Sequence, residues 1–150
     1  MAGSELIQLN DIKKMLLSQG YITDDAVAMS VFLSLQLNKP LLVEGPAGVG
    51  KTEIAKVMAK ALETDLIRLQ CYEGLDATHA LYEWNYQRQL LHIKMTEHDS
   101  RSIDEKEKTI FSDSFLMKRP LLQAITHHKS PVLLIDEIDR SDEEFESFLL

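Results

Sequence analysis

A chain of 150 residues fits one domain with a sizeable hydrophobic core. Its formal net charge of −8, without a basic stripe, disfavours a nucleic-acid partner. No apolar run reaches transmembrane length, the N-terminus lacks a secretory signal pattern, and a single cysteine excludes an internal disulfide. We therefore expect a cytoplasmic protein with no membrane partner.

Two leading helices are expected over residues 1–38. Apolar residues recur at helical spacing in the first part of this segment, and the pattern ends at Gly20. Thr23 or Asp24 can cap a second helix that runs through Asn38.

The first motif with a chemical meaning follows these helices: Gly45-Pro46-Ala47-Gly48-Val49-Gly50-Lys51-Thr52. It matches the phosphate-binding P-loop, in which glycines let backbone amides close around phosphate oxygens. The helix that follows directs its positive dipole end at the anion. All eight residues are predicted to bind a nucleoside triphosphate. Lys51 would reach the β- and γ-phosphates and assist catalysis, and the Thr52 hydroxyl would bind Mg²⁺.

The flanks of the motif suit a P-loop unit over residues 40–71. The apolar run from Pro40 to Glu44 predicts a buried parallel strand before the loop. Apolar residues at helical spacing follow the loop. The segment from Asp65 to Cys71 alternates loosely and predicts a second strand.

The middle of the chain is less regular. Residues 77–86 are predicted to be helical, and the polar, charge-rich segment 97–110 is predicted to be a mobile insertion. Residues 111–118 suggest a short helix. Pro120 suits the first position of a further helix that ends near His128.

A second motif lies at residues 131–137, where an apolar run ends in two carboxylates. This pattern predicts a strand buried on both faces, with ligands gathering at its carboxyl end. Asp136 would hold Mg²⁺ as a Walker-B aspartate does, and Glu137 would act as the general base for the attacking water. Solvated acids at a strand end are the alternative, which the upstream P-loop makes less favoured. ATP is favoured over GTP because no base-reading N-K-x-D segment follows the P-loop.

With both motifs placed, the chain resembles the MoxR-type AAA+ ATPases from about Ile22 onward. Four segments carry the resemblance: residues 42–52, 69–76, 80–86 and 134–140. The resemblance implies an α/β P-loop NTPase fold (an AAA+ core) with a parallel sheet flanked by helices. It also implies ATP hydrolysis with Mg²⁺ in a homo-oligomeric ring. Members of the group, including those of carbon monoxide dehydrogenase maturation, are thought to act as chaperones in enzyme maturation or metal insertion, often with a von Willebrand factor A partner.

The chain departs from that family after its Walker-B helix begins. Family members continue through a sensor strand, an arginine finger and a helical lid, none of which follows here. We therefore interpret the chain as a fragment, incomplete at the C-terminus and without the lid domain. It is expected to bind ATP weakly and to be nearly inactive by itself. The family's sensor strand lies between the P-loop and Walker-B strands, so a strand from another copy could fill that position.

Two other functions compete with the ATPase chaperone. The first is a nucleotide-binding module with little or no turnover, which the truncation favours. The second is a nucleic-acid-associated AAA+ motor, which the acidic charge balance disfavours.

Overall fold

The computed structural model describes residues 8–46 and 48–149, which form a mixed α/β fold. The described chain divides into two compact units between Leu66 and Ile67. The helices and strands, in chain order, are α1 (Leu9–Ser18), α2 (Asp25–Leu37), α3 (Lys51–Ala61), β1 (Leu66–Gln70), α4 (Ala77–Leu81), β2 (Tyr82–Trp84), α5 (Tyr86–Met95), α6 (Ile103–Ile110), β3 (Leu116–Lys118), α7 (Pro120–Ile125), β4 (Val132–Asp136) and α8 (Glu143–Leu149).

The first unit is built from α1, α2 and α3, with α1 packed against both of the others. The Asp24 side chain caps α2 by accepting a hydrogen bond of 2.8 Å from the Val27 amide. Asn38, at the other end of α2, adopts the left-handed conformation that commonly terminates a helix. The buried apolar side chains of this unit come from all three helices: Ile12, Leu16, Ala28, Val31, Ile54, Ala55, Val57, Met58 and Ala59.

The strand expected over residues 40–44 is absent from the structure, and this prediction was wrong. The backbone there belongs to neither helix nor strand, and the Leu42 side chain is 72% exposed. A strand requires a hydrogen-bonded neighbour, and none of the strands in the described residues pairs with this run. The apolar composition that favoured a strand therefore has no sheet to join.

The second unit contains a parallel pair of strands, β1 and β4. Just past the end of β1, the Cys71 amide donates a hydrogen bond of 2.9 Å to the Asp136 carbonyl at the end of β4. The carboxyl ends of both strands therefore meet at one edge. This sheet and the helices around it confirm the predicted α/β class with a parallel sheet.

Helices α4, α7 and α8 supply the other side of the core in this unit. The buried cluster consists of Leu69, Cys71, Leu75, Ala80, Leu121 and Phe145. Leu133 and Ile135 of β4 pack against it. All five residues of β4 are only half-buried, so the expectation of a strand buried on both faces was wrong. In the described residues β4 pairs with β1 alone, so the sheet has too few strands to enclose it.

A second, antiparallel pair is formed by β2 and β3, with Tyr82 opposite Lys118 and Trp84 opposite Leu116. Helices had been expected in both regions. Those expectations were wrong at 82–84 and 116–118, because each segment pairs with the other across more than thirty residues of chain. Local patterns do not report such non-local pairing. The Trp84 and Phe111 rings also meet edge to face, with centroids 5.5 Å apart.

Helices α5 and α6 lie between these two strands in sequence. The segment 97–110, predicted to be a mobile insertion, contains the helix α6 over residues 103–110. Ser102 and Glu105 form a reciprocal capping box at its start, which the high local charge obscured. Whether the segment is an insertion, and whether it is mobile, stays a prediction.

None of the helices in the described part of the chain is both long and apolar enough to cross a membrane.

Candidate nucleotide site

The P-loop lies in the first unit and leads directly into α3, whose first residue is Lys51. Gly45, Gly48 and Gly50 have φ angles of +149°, +82° and +92°. A Cβ atom at Gly48 or Gly50 would meet nothing within 4 Å, so backbone conformation, and not space, selects glycine at those two positions. Ala47 lies outside the described residues.

The Lys51 side chain folds back over its own loop. Its Nζ donates hydrogen bonds of 2.5 Å to the Gly45 carbonyl and 2.9 Å to the Pro46 carbonyl. These contacts hold the ammonium group on the loop that precedes α3. Thr52 is half-buried in the first turn of that helix, and Val49 is exposed.

The two candidate acids lie in the second unit, at the end of β4. Asp136 is the last residue of the strand, and Glu137 has a left-handed backbone with φ 55° and ψ 45°. This conformation is uncommon for a residue with a side chain, and such residues concentrate at functional sites. A short 3₁₀ turn over Ile138–Arg140 follows. The chain therefore bends sharply between the two carboxylates.

Both acids are paired with arginines. The Arg68 Nη2 on β1 donates to the Asp136 Oδ2 at 2.6 Å and also to the Gln70 Oε1 at 2.6 Å. The Arg140 Nη1 donates to the Glu137 Oε2 at 3.0 Å. In this structure, neither carboxylate is left without a cationic neighbour.

The edge of the sheet also carries Cys71, which is buried. Burial raises the pKa of its thiol, and the nearby charges of Asp136 and Asp139 raise it further. A thiol held in its neutral form is a poor nucleophile, so we assign Cys71 to the core. Beside it, an open cleft of about 460 Å³ is lined by Tyr72, Glu73 and Arg140.

The arginines were missed in the sequence analysis. Arg68 and Gln70 stand two residues apart on β1, which places them on one face of the strand. That spacing was visible, but only the pairing of β1 with β4 shows that this face meets Asp136. Arg140 was visible as a residue three positions after Glu137, the spacing at which side chains in a helical turn meet.

The side chains present are compatible with Mg²⁺ bound together with a nucleotide. In the described residues no group of three or more His, Cys, Asp or Glu side chains could hold a metal ion by itself. Taken separately, Thr52 in the first unit offers a hydroxyl oxygen and Asp136 in the second unit offers a carboxylate oxygen, and both are hard donors. Mg²⁺ is commonly held by one or two such groups together with substrate phosphates, and not by an all-protein cage.

Comparison with known proteins identifies the family. A sequence model of the ATPase family associated with various cellular activities (AAA) matches residues 41–145, a span that includes both motifs. The chain belongs to the AAA ATPase family. ATP binding and hydrolysis are the general activity of AAA ATPases.

Two staphylococcal relatives cover most of this AAA chain. An uncharacterized protein of Staphylococcus haemolyticus is 26% identical over 130 residues, which are 87% of this chain and 42% of that protein. An uncharacterized protein of Staphylococcus saprophyticus is 29% identical over 125 residues, which are 83% of this chain and 40% of that protein. The AAA chain thus spans about two fifths of the length of these relatives.

A shorter match involves the mouse dynein axonemal heavy chain 3. It is 49% identical over 43 residues, which are 29% of this chain and 1% of the heavy chain. The match is local and supports a shared motif more than a shared role. No solved structure matches the chain at a significant level.

Proposed function

We propose that this AAA chain is the nucleotide-binding core of a MoxR-like ATPase that uses ATP hydrolysis to assist enzyme maturation or metal insertion. The observation that carries the nucleotide part is the backbone of the P-loop. Its three glycines adopt positive φ angles immediately before α3, and Lys51 begins that helix. This arrangement directs backbone amides and the helix dipole at an anion.

The P-loop residues hold the polyphosphate in this proposal. Lys51 exchanges the Gly45 and Pro46 carbonyls for phosphate oxygens, which are stronger acceptors because they are charged. Thr52, in the first turn of α3, contributes its hydroxyl to the cation. The remaining loop residues contribute the shape of the turn and, apart from Pro46, backbone amides.

The two acids, Asp136 and Glu137, have separate roles in this proposal. Asp136 holds the cation through its carboxylate, and Glu137 accepts a proton from the attacking water as the general base. Mg²⁺, when bound, neutralises charge on the β- and γ-phosphate oxygens. The left-handed backbone at Glu137 ends the extended conformation of β4 at that residue, so the two adjacent acids stand on differently shaped backbone.

The finer assignment is supported by the sequence segments that resemble the MoxR-like group, which include residues 69–76 and 80–86. On this assignment the whole protein forms a homo-oligomeric ring in the cytoplasm and works with a von Willebrand factor A partner. The net charge of −8 supports a protein client over nucleic acid.

A second candidate is a nucleotide-binding module with little turnover. It is favoured by the contact between Arg140 and Glu137, because a carboxylate oxygen that already accepts a hydrogen bond from an arginine is less available to a water molecule. On this reading, slow hydrolysis by the chain alone is expected, since an arginine finger from a neighbouring subunit can supply several powers of ten in rate.

Calorimetry with ATP and Mg²⁺ tests the nucleotide assignment, with EDTA and GTP as controls. Saturable heat with ATP that EDTA weakens supports it, and the absence of heat contradicts it. Phosphate release at saturating ATP then separates the two candidates. Sustained release supports the ATPase, and binding without release supports the module.

A further inference from the structure

We propose that Arg68 competes with the divalent cation for Asp136, so that the arginine lowers the affinity of the site for Mg²⁺ and sets the Mg²⁺ concentration at which it fills. The inference rests on the proposed function, because it requires Asp136 to be a cation ligand. Its basis is the contact of 2.6 Å between the Arg68 Nη2 and the Asp136 Oδ2.

The geometry makes the arginine and the cation compete for that oxygen. An Nη2 atom at 2.6 Å occupies the approach to the Asp136 Oδ2. Mg²⁺ binds oxygens at about 2.0–2.1 Å in a nearly ideal octahedron, often with water ligands that need space of their own. Binding of the cation at the position that Nη2 occupies therefore requires Arg68 to move, and binding at another lone pair of the carboxylate brings two positive charges close together.

The exposure of the pair makes Arg68 a competitor and not a permanent block. The Arg68 side chain is 53% exposed, whereas that of Asp136 is 20% exposed. Ion pairs with this much solvent contact are weak, so a divalent cation can displace the guanidinium. Gln70 also accepts a hydrogen bond from the same Nη2 atom, so the displaced arginine keeps a partner on its own strand.

A displaced Arg68 held on β1 remains close to the bound cation. The two positive charges then repel each other, which weakens cation binding, and salt screens this repulsion. Arg68 is a positioning residue in this scheme, because it acts on the cation through Asp136 and through charge.

The test is a Mg²⁺ titration of the full chain in the presence of a non-hydrolysable ATP analogue, with calorimetry as the readout. Arg68→Gln is expected to lower the half-saturating Mg²⁺ concentration about fivefold, and Arg68→Lys, which keeps the charge, to stay near the wild type. Arg101→Gln is the matched control, since Arg101 also pairs with an acid at 2.6 Å, here Asp99. Any effect of net charge alone would show equally in this control.

Salt dependence gives a readout that a purely structural role would not produce. Raising the KCl concentration should bring the half-saturating Mg²⁺ concentrations of the wild type and Arg68→Gln closer together. The difference between these two concentrations should be largest at low salt. Thermal melting of each variant verifies folding. If Arg68→Gln does not fold, Arg68→Met and the salt dependence of the wild type test the same repulsion.

Two negative results are distinguishable. An unchanged or raised half-saturating Mg²⁺ concentration in Arg68→Gln, with analogue binding intact, would overturn this inference and leave the proposed function standing. Failure of the wild type and Arg101→Gln to bind the analogue at all would overturn the proposed function, and the inference with it.

Discussion

The P-loop and the acid-bearing end of β4 are organised in different ways. In the P-loop the backbone is set by glycines with positive φ angles, and Lys51 donates hydrogen bonds to the neutral carbonyls of Gly45 and Pro46. At the end of β4 the backbone places two carboxylates, and Arg68 of β1 and Arg140 of the following turn hold them in ion pairs. One region is organised by local conformation and the other by contacts between side chains.

This difference implies different responses to change. A loop set by its backbone should lose function when its conformation is disturbed, even by a methyl group in open space. The end of β4, where arginines pair with Asp136 and Glu137, should respond to changes in charge. Its ion pairs are partly solvated, so other cations can replace the arginines. Four predictions test these statements, from the largest expected effect to the smallest.

Glu137→Gln should give the largest change, in hydrolysis alone. The variant keeps a hydrogen-bond acceptor for Arg140 but cannot accept the proton of water, so ATP turnover in the whole protein should fall about 10²–10⁴-fold. Nucleotide affinity should stay close to that of the wild type, as measured by calorimetry. The control is Glu144→Gln, which removes an exposed carboxylate on α8. Undiminished phosphate release from Glu137→Gln would show that another group is the base.

Lys51→Ala tests the charged member of the P-loop. Loss of the ammonium group removes its charge-assisted hydrogen bonds to phosphate, so ATP affinity should fall about a hundredfold. Calorimetry measures the affinity, and Lys60→Ala, an exposed residue on the same helix, is the control. Equal affinities for the two variants would remove Lys51 from the phosphate site.

Gly50→Ala tests whether the backbone is the organising element. Its φ of +92° costs a residue with a Cβ about 1–2 kcal/mol, so the loop should relax and ATP affinity should fall about tenfold. Gly20→Ala is a close control, since Gly20 has a φ of +77° and equally open surroundings. That control should lose similar stability and keep its ATP affinity. An unchanged affinity in Gly50→Ala would contradict a backbone-determined site.

The smallest effect concerns Glu105, in the capping box of α6, which belongs to neither region. The backbone amide of Ser102 lowers the pKa of the Glu105 carboxyl, and the Ser102 hydroxyl contributes to the same shift. A lowered pKa in the folded state adds stability above the unfolded value of about 4.3, and this stability is lost as pH falls through the folded pKa.

Melting temperatures measure this effect. At pH 7 the melting temperature of Glu105→Gln should lie below that of the wild type by no more than about 2 °C. When melting temperature is plotted against pH, the values for the two proteins should approach each other as the pH falls toward about 3. A constant difference from pH 7 to pH 3 would show that the charge of Glu105 does not stabilise the helix.

Features that depend on nearby residues could be predicted from the sequence. Asp24 caps α2 as expected, Pro120 occupies the first turn of α7, and the apolar run before Asp136 forms β4. Each is decided within a few residues, by a side chain that reaches a neighbouring amide, by a fixed φ angle, or by a run of β-branched and aliphatic residues.

Features that depend on partners far along the chain could not be predicted from the sequence. The run at 40–44 has the composition of a strand but no strand beside it, and β2 exists because it meets β3. The same reason hides Arg68 as a partner of Asp136, since the two are 68 residues apart. Strand pairing and ion pairing are properties of two segments together, and a local pattern describes only one.

The amino-acid sequence alone determined the phosphate-binding motif, the carboxylate pair and the α/β class, because glycine conformation, helix starts and apolar runs are short-range properties. The tertiary structure decided which strands pair and that Arg68 of β1 lies against Asp136. Those outcomes depend on hydrogen-bond and charge partners that only the folded chain brings within reach.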